Sequence, residues 1–185
     1  LVFNGEIYNY KELRKELEQA GRKFTSDSDT EVLLASWEQW GRECVHRLDG
    51  MFAFTILDRK YNRLTCLRDP FGIKPFFYQF NNQGFCFASE IGGIQELTGS
   101  KGSLNWERAY SYLVFGRYDN RSDTFLDGVY HLMPGHMIEL DMNSGALGAP
   151  EQWWQPSIVE RTDLTLSDAA DQVREQFLQS VKRQL

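Results

Sequence analysis

Three consecutive residues near the start of the chain, Asn4-Gly5-Glu6, combine an amide, a glycine and a carboxylate. An Asn side-chain amide and the next backbone N–H can both donate hydrogen bonds to one carbonyl oxygen, and glycine lets the backbone approach closely. The sequence therefore predicts an oxyanion-binding site, with Glu6 suited to bind an ammonium group. The alternative is a hairpin turn, the commonest use of Asn-Gly. A helix rather than a second strand is predicted from Asn9 onward, which disfavours the hairpin.

A second candidate carboxylate, Asp29, lies in Ser28-Asp29-Thr30-Glu31, directly before an apolar helical run. Asp is a preferred helix N-cap, so a purely structural role is one interpretation. The other is a binding role, because a carboxylate at a helix entrance is ordered and can also meet a cation. The two roles are compatible, and the sequence leaves both open.

Two further polar segments follow strand-like runs. The loop Arg68–Pro75 contains two prolines, a glycine and three charges, which predicts a rigid turn with an Arg-Asp or Lys-Asp pair. Its glycine belongs to no phosphate-binding pattern. The segment Ala88-Ser89-Glu90 is interpreted either as a helix entry or as polar groups near a site.

The cysteines and histidines predict neither a nucleophile nor a metal site. Cys44, Cys66 and Cys86 match no metal or disulfide spacing, which indicates a reducing, cytoplasmic location. Cys66 and Cys86 lie in strand-like runs, where we expect buried, inert thiols, and a dyad of Cys44 with His46 is disfavoured because residues two apart on a helix point to different faces. The histidines are scattered and are expected to be structural or solvated; they are His46, His131 and His136.

Helical and strand-like segments alternate along the chain. The predicted helices and strands are a helix from Asn9 with a capping box to Glu12, a strand at 23–25, a helix at 30–40, strands at 51–58, 63–68, 76–80 and 85–88, a helix at 105–115, and a strand at 136–141. The hairpin strands are apolar on nearly every residue, which predicts sheets covered on both faces.

Composition excludes several classes of function. The chain has 185 residues with a net charge of −6, and no basic face of the kind that nucleic acid needs. No apolar run approaches the roughly 18 residues of a membrane span. We expect neither nucleic-acid nor membrane partners.

Three segments are predicted along the chain: one domain at 1–147, a linker with Trp153 and Trp154 at 148–166, and a helix at 167–185. The chain starts within a strand-like run and ends at Leu185 without a helix stop signal. We therefore expect a segment of a longer protein, with 167–185 as the first helix of a following domain.

Taken in order, these motifs resemble the glutaminase domain of asparagine synthetases, which are class II glutamine amidotransferases. The matching segments are Asn4–Asn9, Ser28–Leu34, Trp40-Gly41, Leu48–Phe54, Arg68–Pro75, Phe87–Glu90, Leu132–His136 and the Trp-rich linker. Each motif alone is weak evidence, but the ordered set covers nearly the whole chain.

The resemblance implies an α+β fold, a four-layer α/β/β/α sandwich of the N-terminal-nucleophile hydrolase type with mostly antiparallel sheets. It also implies that Asn4 and Gly5 form the oxyanion hole, and that Glu6 and Asp29 bind the α-ammonium group of glutamine. In the family, a thiolate attacks the glutamine side-chain amide, ammonia leaves, and water hydrolyses the thioester. The ammonia then reaches a synthetase domain that adenylates aspartate with ATP and Mg²⁺; no cofactor is implied in the glutaminase domain itself.

One departure from the family pattern is severe. The family's nucleophilic N-terminal Cys and its carboxylate-binding Arg precede the part that resembles this chain, and the three cysteines match structural positions. We therefore expect no glutaminase activity from residues 1–185 alone.

Two alternatives stay open. One is a structural relative without the nucleophilic Cys, of the β-lactam synthetase type, although the retained Asn4, Gly5, Glu6 and Asp29 disfavour it. The other is a class II amidotransferase with a different acceptor, such as phosphoribosyl pyrophosphate or glucosamine phosphate. The expected partners are glutamine and a downstream synthetase domain, and a homodimer is an open alternative.

Overall fold

The strands of the chain form two sheets with antiparallel pairings. The computed structural model describes residues 1–118 and 120–184. The strands are β1 (Val2–Ile7), β2 (Gly50–Asp58), β3 (Arg63–Arg68), β4 (Phe77–Asn81), β5 (Gly84–Ala88), β6 (Val129–His131), β7 (His136–Asp141) and β8 (Glu151–Gln152). One sheet has the order β1-β2-β3-β7-β8 and the other has the order β5-β4-β6. The antiparallel pairs include β2 with β3, β3 with β7, and β4 with both β5 and β6.

Most of the helices lie between these strands along the chain, and the last helix follows β8. They are α1 (Tyr10–Gln19), α2 (Asp29–Trp40), α3 (Ile91–Thr98), α4 (Trp106–Phe115) and α5 (Leu166–Arg183), and a 3-10 helix spans Gly41–Arg47. The described residues divide into two compact units, one made of 1–6 and 51–155 and the other of 7–50 and 156–185. We call them the sheet unit and the helical unit.

Apolar side chains from both sheets share one core in the sheet unit. Its buried members are Ala53, Cys66, Phe76, Tyr78, Leu132 and Ile138. Phe85 and Phe87 of β5 pack against it from the second sheet. The two sheets therefore pack face to face, as apolar inner faces require.

The two predicted hairpins differ in how far they are covered. In β2, every residue from Phe52 to Ile56 is buried, so this strand is covered on both faces as predicted. In the β4–β5 hairpin, Tyr78 is buried but Phe80 is 42% exposed. The prediction of two covered faces is therefore wrong for this second hairpin, because Phe80 lies on the same strand face as Tyr78 but beyond the covered part of that face.

In the helical unit, α1 packs against α2, and α2 continues into the 3-10 helix. The predicted strand at 23–25 is absent from the described residues, because the N–H of Thr25 donates to the carboxylate of Glu31. The predicted capping box of α1 is also wrong. Asn9 occupies the cap position, but its side chain donates to Arg47 O at 2.8 Å and accepts from Asp49 N at 2.9 Å.

Trp153 and Trp154 pack within the sheet unit. They directly follow β8, which pairs with β7. The Trp153 ring stacks on Phe52 and its indole N–H donates to Arg68 O at 3.3 Å, while the Trp154 ring meets Phe71 edge-on. The boundaries predicted at 147, 148 and 166 stay predictions. The structure adds that 151–154 pack with the sheets.

Helix α5 begins with a capping box. Thr165 accepts from Asp168 N, and the Asp168 side chain accepts from Thr165 N. None of the described residues of α5 is buried, and Val173 and Phe177 are each 66% exposed. Leu185, at the end of the predicted helix, lies outside the described residues.

Within 1–118 and 120–184, no helix is long and apolar enough to cross a membrane.

Candidate active site

Strand β1 carries Asn4, Gly5 and Glu6, and it runs without a turn from Val2 to Ile7. The hairpin alternative for Asn-Gly is therefore wrong. Alternation along a strand places the side chains of Asn4 and Glu6 on one face and Gly5 on the other. The strand lies at an edge of its sheet, next to β2.

Gly5 lies against the backbone of β2 at a distance that only glycine permits. A Cβ atom built on Gly5 would be 2.2 Å from Met51 O and 2.7 Å from Phe52 Cα. Both distances are far below contact distance, and backbone atoms cannot move aside as a flexible side chain can. The sequence predicts that Gly5 lets the backbone come close to a ligand. In the structure its lack of a side chain lets β1 come close to β2.

The side-chain amide of Asn4 is anchored by one hydrogen bond. Its Nδ2 donates to Ser89 Oγ at 3.2 Å, which leaves the second Nδ2 hydrogen for another acceptor. Ser89 lies between β5 and the cap position of α3, which Glu90 occupies. Both interpretations of Ala88-Ser89-Glu90 therefore describe the structure: the segment starts a helix and also contacts a predicted site residue.

A cavity of about 110 Å³ opens beside Asn4 and Ser89. Apolar side chains from β2 and β5 form much of its wall, among them Ala53, Phe54 and Phe87. An amide donor therefore lies at the mouth of a small, mostly apolar space. Such a combination suits a neutral, partly polar ligand group.

The carboxylate of Glu6 is exposed and makes no hydrogen bond or ion pair within the described part of the chain. A carboxylate in this state keeps its acceptor capacity for a ligand cation. The structure thus leaves Glu6 available for the predicted role.

Asp29 is the first residue of α2, and the cap itself is Ser28, whose side chain accepts from Thr30 N. The N-cap interpretation of Asp29 is therefore off by one residue. Its carboxylate instead accepts from the backbone N–H of Ile7 at 3.1 Å, and from Thr30 Oγ1 at 3.3 Å. A carboxylate oxygen has two lone pairs, so these bonds leave capacity for a further donor.

The loop from Arg68 to Pro75 is organised by Asp69, which is 0% exposed. Its carboxylate accepts four backbone N–H bonds, from Phe52, Phe71, Ile73 and Lys74. The rigid turn is confirmed, but the predicted Arg-Asp or Lys-Asp pair is wrong, because backbone N–H groups occupy the carboxylate.

The guanidinium of Arg68 also stabilises this loop by hydrogen bonds to backbone carbonyl groups. It donates to the carbonyl oxygens of Gly72, Lys74 and Leu132 at 2.7 to 2.9 Å. The loop is therefore a structural support for β2 and β3, both of which belong to the sheet that contains β1.

None of the three cysteines has the character of a nucleophile. Burial raises the pKa of Cys44 and Cys66 to about 12 each, and burial also raises the pKa of the half-buried Cys86. A thiol with a raised pKa holds little thiolate at neutral pH. The predicted buried thiol is confirmed for Cys66, while Cys86 is less buried than predicted; Cys44 is buried as well.

The histidines are bonded within the fold. His131 is 6% exposed, with one ring nitrogen beside Arg68 Nη1 and the other beside Arg121 O. His136 Nδ1 lies 2.8 Å from Pro134 O. In the residues that the structure describes, no group of three or more His, Cys, Asp or Glu side chains could hold a metal ion.

The chain matches a known family over most of its length. A family model described as "Glutamine amidotransferase domain" matches residues 1–154. The chain belongs to the glutamine amidotransferase domain family. The glutamine amidotransferase part of the resemblance inferred from the ordered motifs is thereby confirmed.

Curated relatives of this amidotransferase domain carry the corresponding name. Asparagine synthetase [glutamine-hydrolyzing] 3 of Bacillus subtilis is 35% identical over 187 residues, covering 100% of this chain and 30% of that protein. A putative asparagine synthetase [glutamine-hydrolyzing] of Mycobacterium bovis is 43% identical over 139 residues, covering 73% of this chain and 21% of that protein. The chain thus spans less than a third of the length of these relatives.

Solved structures confirm the fold class of this amidotransferase domain. The glutamine phosphoribosylpyrophosphate amidotransferase of B. subtilis, complexed with ADP and GMP, aligns with a TM-score of 0.58 at 21% identity, over 84% of this chain and 29% of that one. The predicted α+β fold of the N-terminal-nucleophile hydrolase type is therefore correct.

The individual contacts that hold the site residues in place are not predicted from the sequence, although Ala88-Ser89-Glu90 is predicted as a possible polar segment near a site. Three residues supply these contacts: Glu31, Asp69 and Ser89. Each lies in a motif that resembles the family as a segment, but the motif does not show what its individual side chains contact. Their individual partners are distant in sequence or are backbone groups, and neither kind of contact leaves a periodic signal.

Proposed function

We propose that this chain is the glutamine-binding part of a glutamine-hydrolysing asparagine synthetase. In this proposal Asn4 Nδ2 and the Gly5 N–H stabilise the oxyanion formed on the glutamine side-chain amide, and Glu6 and Asp29 bind the α-ammonium group. The observation that carries the proposal is the anchored amide of Asn4, which keeps one N–H free beside a small cavity.

The chemistry of the site residues supports binding and polarisation rather than attack. Amide donors stabilise a developing oxyanion, and paired carboxylates attract an ammonium group. The cysteine pKa values are all raised, so the attacking thiolate in this proposal belongs to a residue outside 1–185. We accordingly infer that residues 1–185 alone do not hydrolyse glutamine.

The names of the relatives support aspartate as the final acceptor of the ammonia. The relatives from B. subtilis and M. bovis are both called asparagine synthetases. In the proposal, a separate synthetase domain uses ATP and Mg²⁺ to activate aspartate, and the glutamine-binding domain contributes no cofactor. A cytoplasmic location belongs to the same proposal, and the free thiols of all three cysteines support it.

Titration of the chain with L-glutamine tests the proposal. We expect saturable binding in the millimolar range and no release of glutamate above a buffer blank. Asn4→Ala removes the oxyanion donor, and Asp29→Asn removes one carboxylate, so both should weaken binding. Asn82→Ala, at an exposed turn, is the matched control and should bind as the wild type does.

Two results would contradict the proposal. Absence of saturable glutamine binding would refute the pocket. Glutamate release by the isolated chain would refute the assignment of the nucleophile to residues outside it.

A further inference from the structure

A network of hydrogen bonds surrounds the turn that precedes α2, and the proposed function gives it no role. Glu31 lies in the first turn of α2. Its Oε1 accepts from Thr25 N at 2.9 Å and Thr25 Oγ1 at 3.0 Å, and its Oε2 accepts from Ser26 N at 2.8 Å and Ser26 Oγ at 2.7 Å. One carboxylate thus holds two consecutive residues by both backbone and side chain.

Ser26 connects Glu31 to Ser28, the N-cap residue of α2, by hydrogen bonds. Its hydroxyl donates to Glu31 and also accepts from Ser28 N at 3.3 Å. The Ser28 hydroxyl in turn accepts from Thr30 N at 3.1 Å. The bonds therefore run from Glu31 through Ser26 to the two residues that flank Asp29.

Helix α1 holds the same turn from its other side. Arg14 Nη1 donates to Ser26 O at 2.6 Å and to Asp27 Oδ1 at 3.0 Å, and its guanidinium lies 4.8 Å from the centre of the Phe24 ring. Ser26 is consequently bonded at its N–H, its carbonyl and its hydroxyl. All these residues belong to the helical unit.

Asp29 follows this hydrogen-bonded turn directly, so the turn sets its position. Its carboxylate accepts from the N–H of Ile7, the residue that follows Glu6 in the chain, and Ile7 is 0% exposed. The position of the Asp29 carboxylate therefore has an observable marker, which is the protection of the Ile7 amide from hydrogen exchange.

We propose that Glu31 is a positioning residue: by fixing Thr25 and Ser26 it sets the position of the Asp29 carboxylate, and through it the recognition of the α-ammonium group of glutamine. The inference rests on the proposed role of Asp29. It assigns to Glu31 no contact with the ligand itself.

Glu31→Gln tests the inference in the 185-residue chain. Glutamine keeps the size of the side chain, but its Nε2 cannot accept from a backbone N–H. Amide exchange should become faster at Thr25 and Ser26, and also at Ile7. Asp29→Ala, which removes both acceptor oxygens, provides the reference for loss of the Ile7 bond. Glu12→Gln, on the exposed face of α1, is the matched control and should change none of these amides.

Ligand binding gives a second readout that a merely structural role would not change. Glutaramate has the amide and carboxylate of glutamine but lacks the α-amino group. We expect Glu31→Gln to weaken L-glutamine binding by about tenfold, equivalent to one charge-assisted contact, and to leave glutaramate binding unchanged. Ser26→Ala, which removes only the relaying hydroxyl, should act in the same direction with a smaller effect and serves if Glu31→Gln fails to fold.

The outcomes separate the two proposals. If Thr25 and Ser26 exchange faster in Glu31→Gln while Ile7 and glutamine binding stay as in the wild type, Glu31 holds its own turn only and the inference is wrong. If the wild type binds glutamine no better than glutaramate, the proposed role of Asp29 fails, and the exchange of Ile7 still decides whether Glu31 positions that carboxylate.

Discussion

Asp69 and Phe52 are joined by hydrogen bonds in both directions. The Asp69 carboxylate accepts from Phe52 N at 3.2 Å, and Asp69 N donates to Phe52 O at 2.8 Å. Phe52 is also the residue whose Cα lies against Gly5. A buried side chain in the loop after β3 thereby fixes the backbone on which the predicted oxyanion residue rests.

Asp69→Asn should lower the free energy of unfolding by about 2 to 5 kcal/mol. The new amide nitrogen would face backbone N–H groups, and each buried donor left without an acceptor costs about 1 to 3 kcal/mol. Urea denaturation followed by fluorescence measures the change. Asp58→Asn is the control, because Asp58 accepts from Lys60 N and Tyr61 N in an exposed turn that Asn also suits, and it should cost less than about 1 kcal/mol.

Gly5→Ala should destabilise the sheet unit by at least about 2 kcal/mol, because the added methyl would overlap the backbone of Met51 and Phe52. Gly92→Ala is the matched control. Gly92 lies in α3 with open space around its Cβ position, so alanine there should be neutral or stabilising by up to about 1 kcal/mol. Equal effects of the two substitutions on the melting temperature would show that the close contact of Gly5 with β2 does not exclude a larger residue.

Glu31 should make stability depend on pH in the acid range. Hydrogen bonds from Ser26 and Thr25 lower its pKa from an ordinary 4.5 to about 2. A carboxyl whose pKa is lower in the folded state stabilises fully above its unfolded pKa, and the contribution is lost as the pH falls from about 4.5 towards 2. The nearby Arg14 has a raised pKa and stays charged throughout this range, while Asp27 and Asp29 also face the turn.

Melting temperatures of the wild type and Glu31→Gln between pH 6 and pH 2 measure this contribution. The difference between the two proteins should be largest near neutral pH and shrink as the acid limit is approached. A difference independent of pH would mean that the charge of Glu31 contributes nothing.

The cysteines should differ in their rates of alkylation. Cys86 is partly accessible, whereas Cys44 and Cys66 are buried and have pKa values of about 12. Iodoacetamide at pH 8, followed by mass spectrometry, should modify Cys86 first, and all three should react alike in denaturant. Rapid native labelling of Cys44 or Cys66 would contradict the burial of these two thiols.

A chain that ends at residue 147 should be less stable than one that ends at 155. The shorter chain loses β8, the stacking of Trp153 on Phe52 and the edge contact of Trp154 with Phe71. Removal of two half-buried indoles should cost about 2 to 4 kcal/mol in the sheet unit. Both chains lack α5, so the comparison isolates residues 148–155, and equal stability would support the predicted domain end at 147.

Local signals in the sequence predict much of the fold. Strands β2, β3, β4, β5 and β7 and helices α2 and α4 are predicted within about two residues, because apolar periodicity and Gly stop signals mark them. The short strands β6 and β8 are missed because three or two residues carry no period. At 23–25 the competing partner is a side chain, Glu31, which no strand pattern reveals.

The site is predictable to the extent that it depends on residue type. Asn4, Gly5, Glu6 and Asp29 are recognised from their chemistry and from the order of motifs, and their roles stay predictions. The hydrogen bonds that hold two of these side chains are not predicted. Asn4 bonds to Ser89, 85 residues away in sequence, and Asp29 bonds to Ile7, 22 residues away. Contacts across such separations form only in the tertiary fold, and no local pattern of residues predicts them.

The sheet unit is discontinuous in sequence, since residues 1–6 belong with 51–155 and the intervening 7–50 belong to the helical unit. During synthesis, β1 emerges before β2 and must wait for it before their backbone groups can pair. The α1–α2 pair makes local contacts and can form in the meantime, because closing short loops costs little entropy. The strand that carries Asn4 and Gly5 is thus made before the strand it pairs with, so the order of translation leaves it unpaired while residues 7–50 are synthesised.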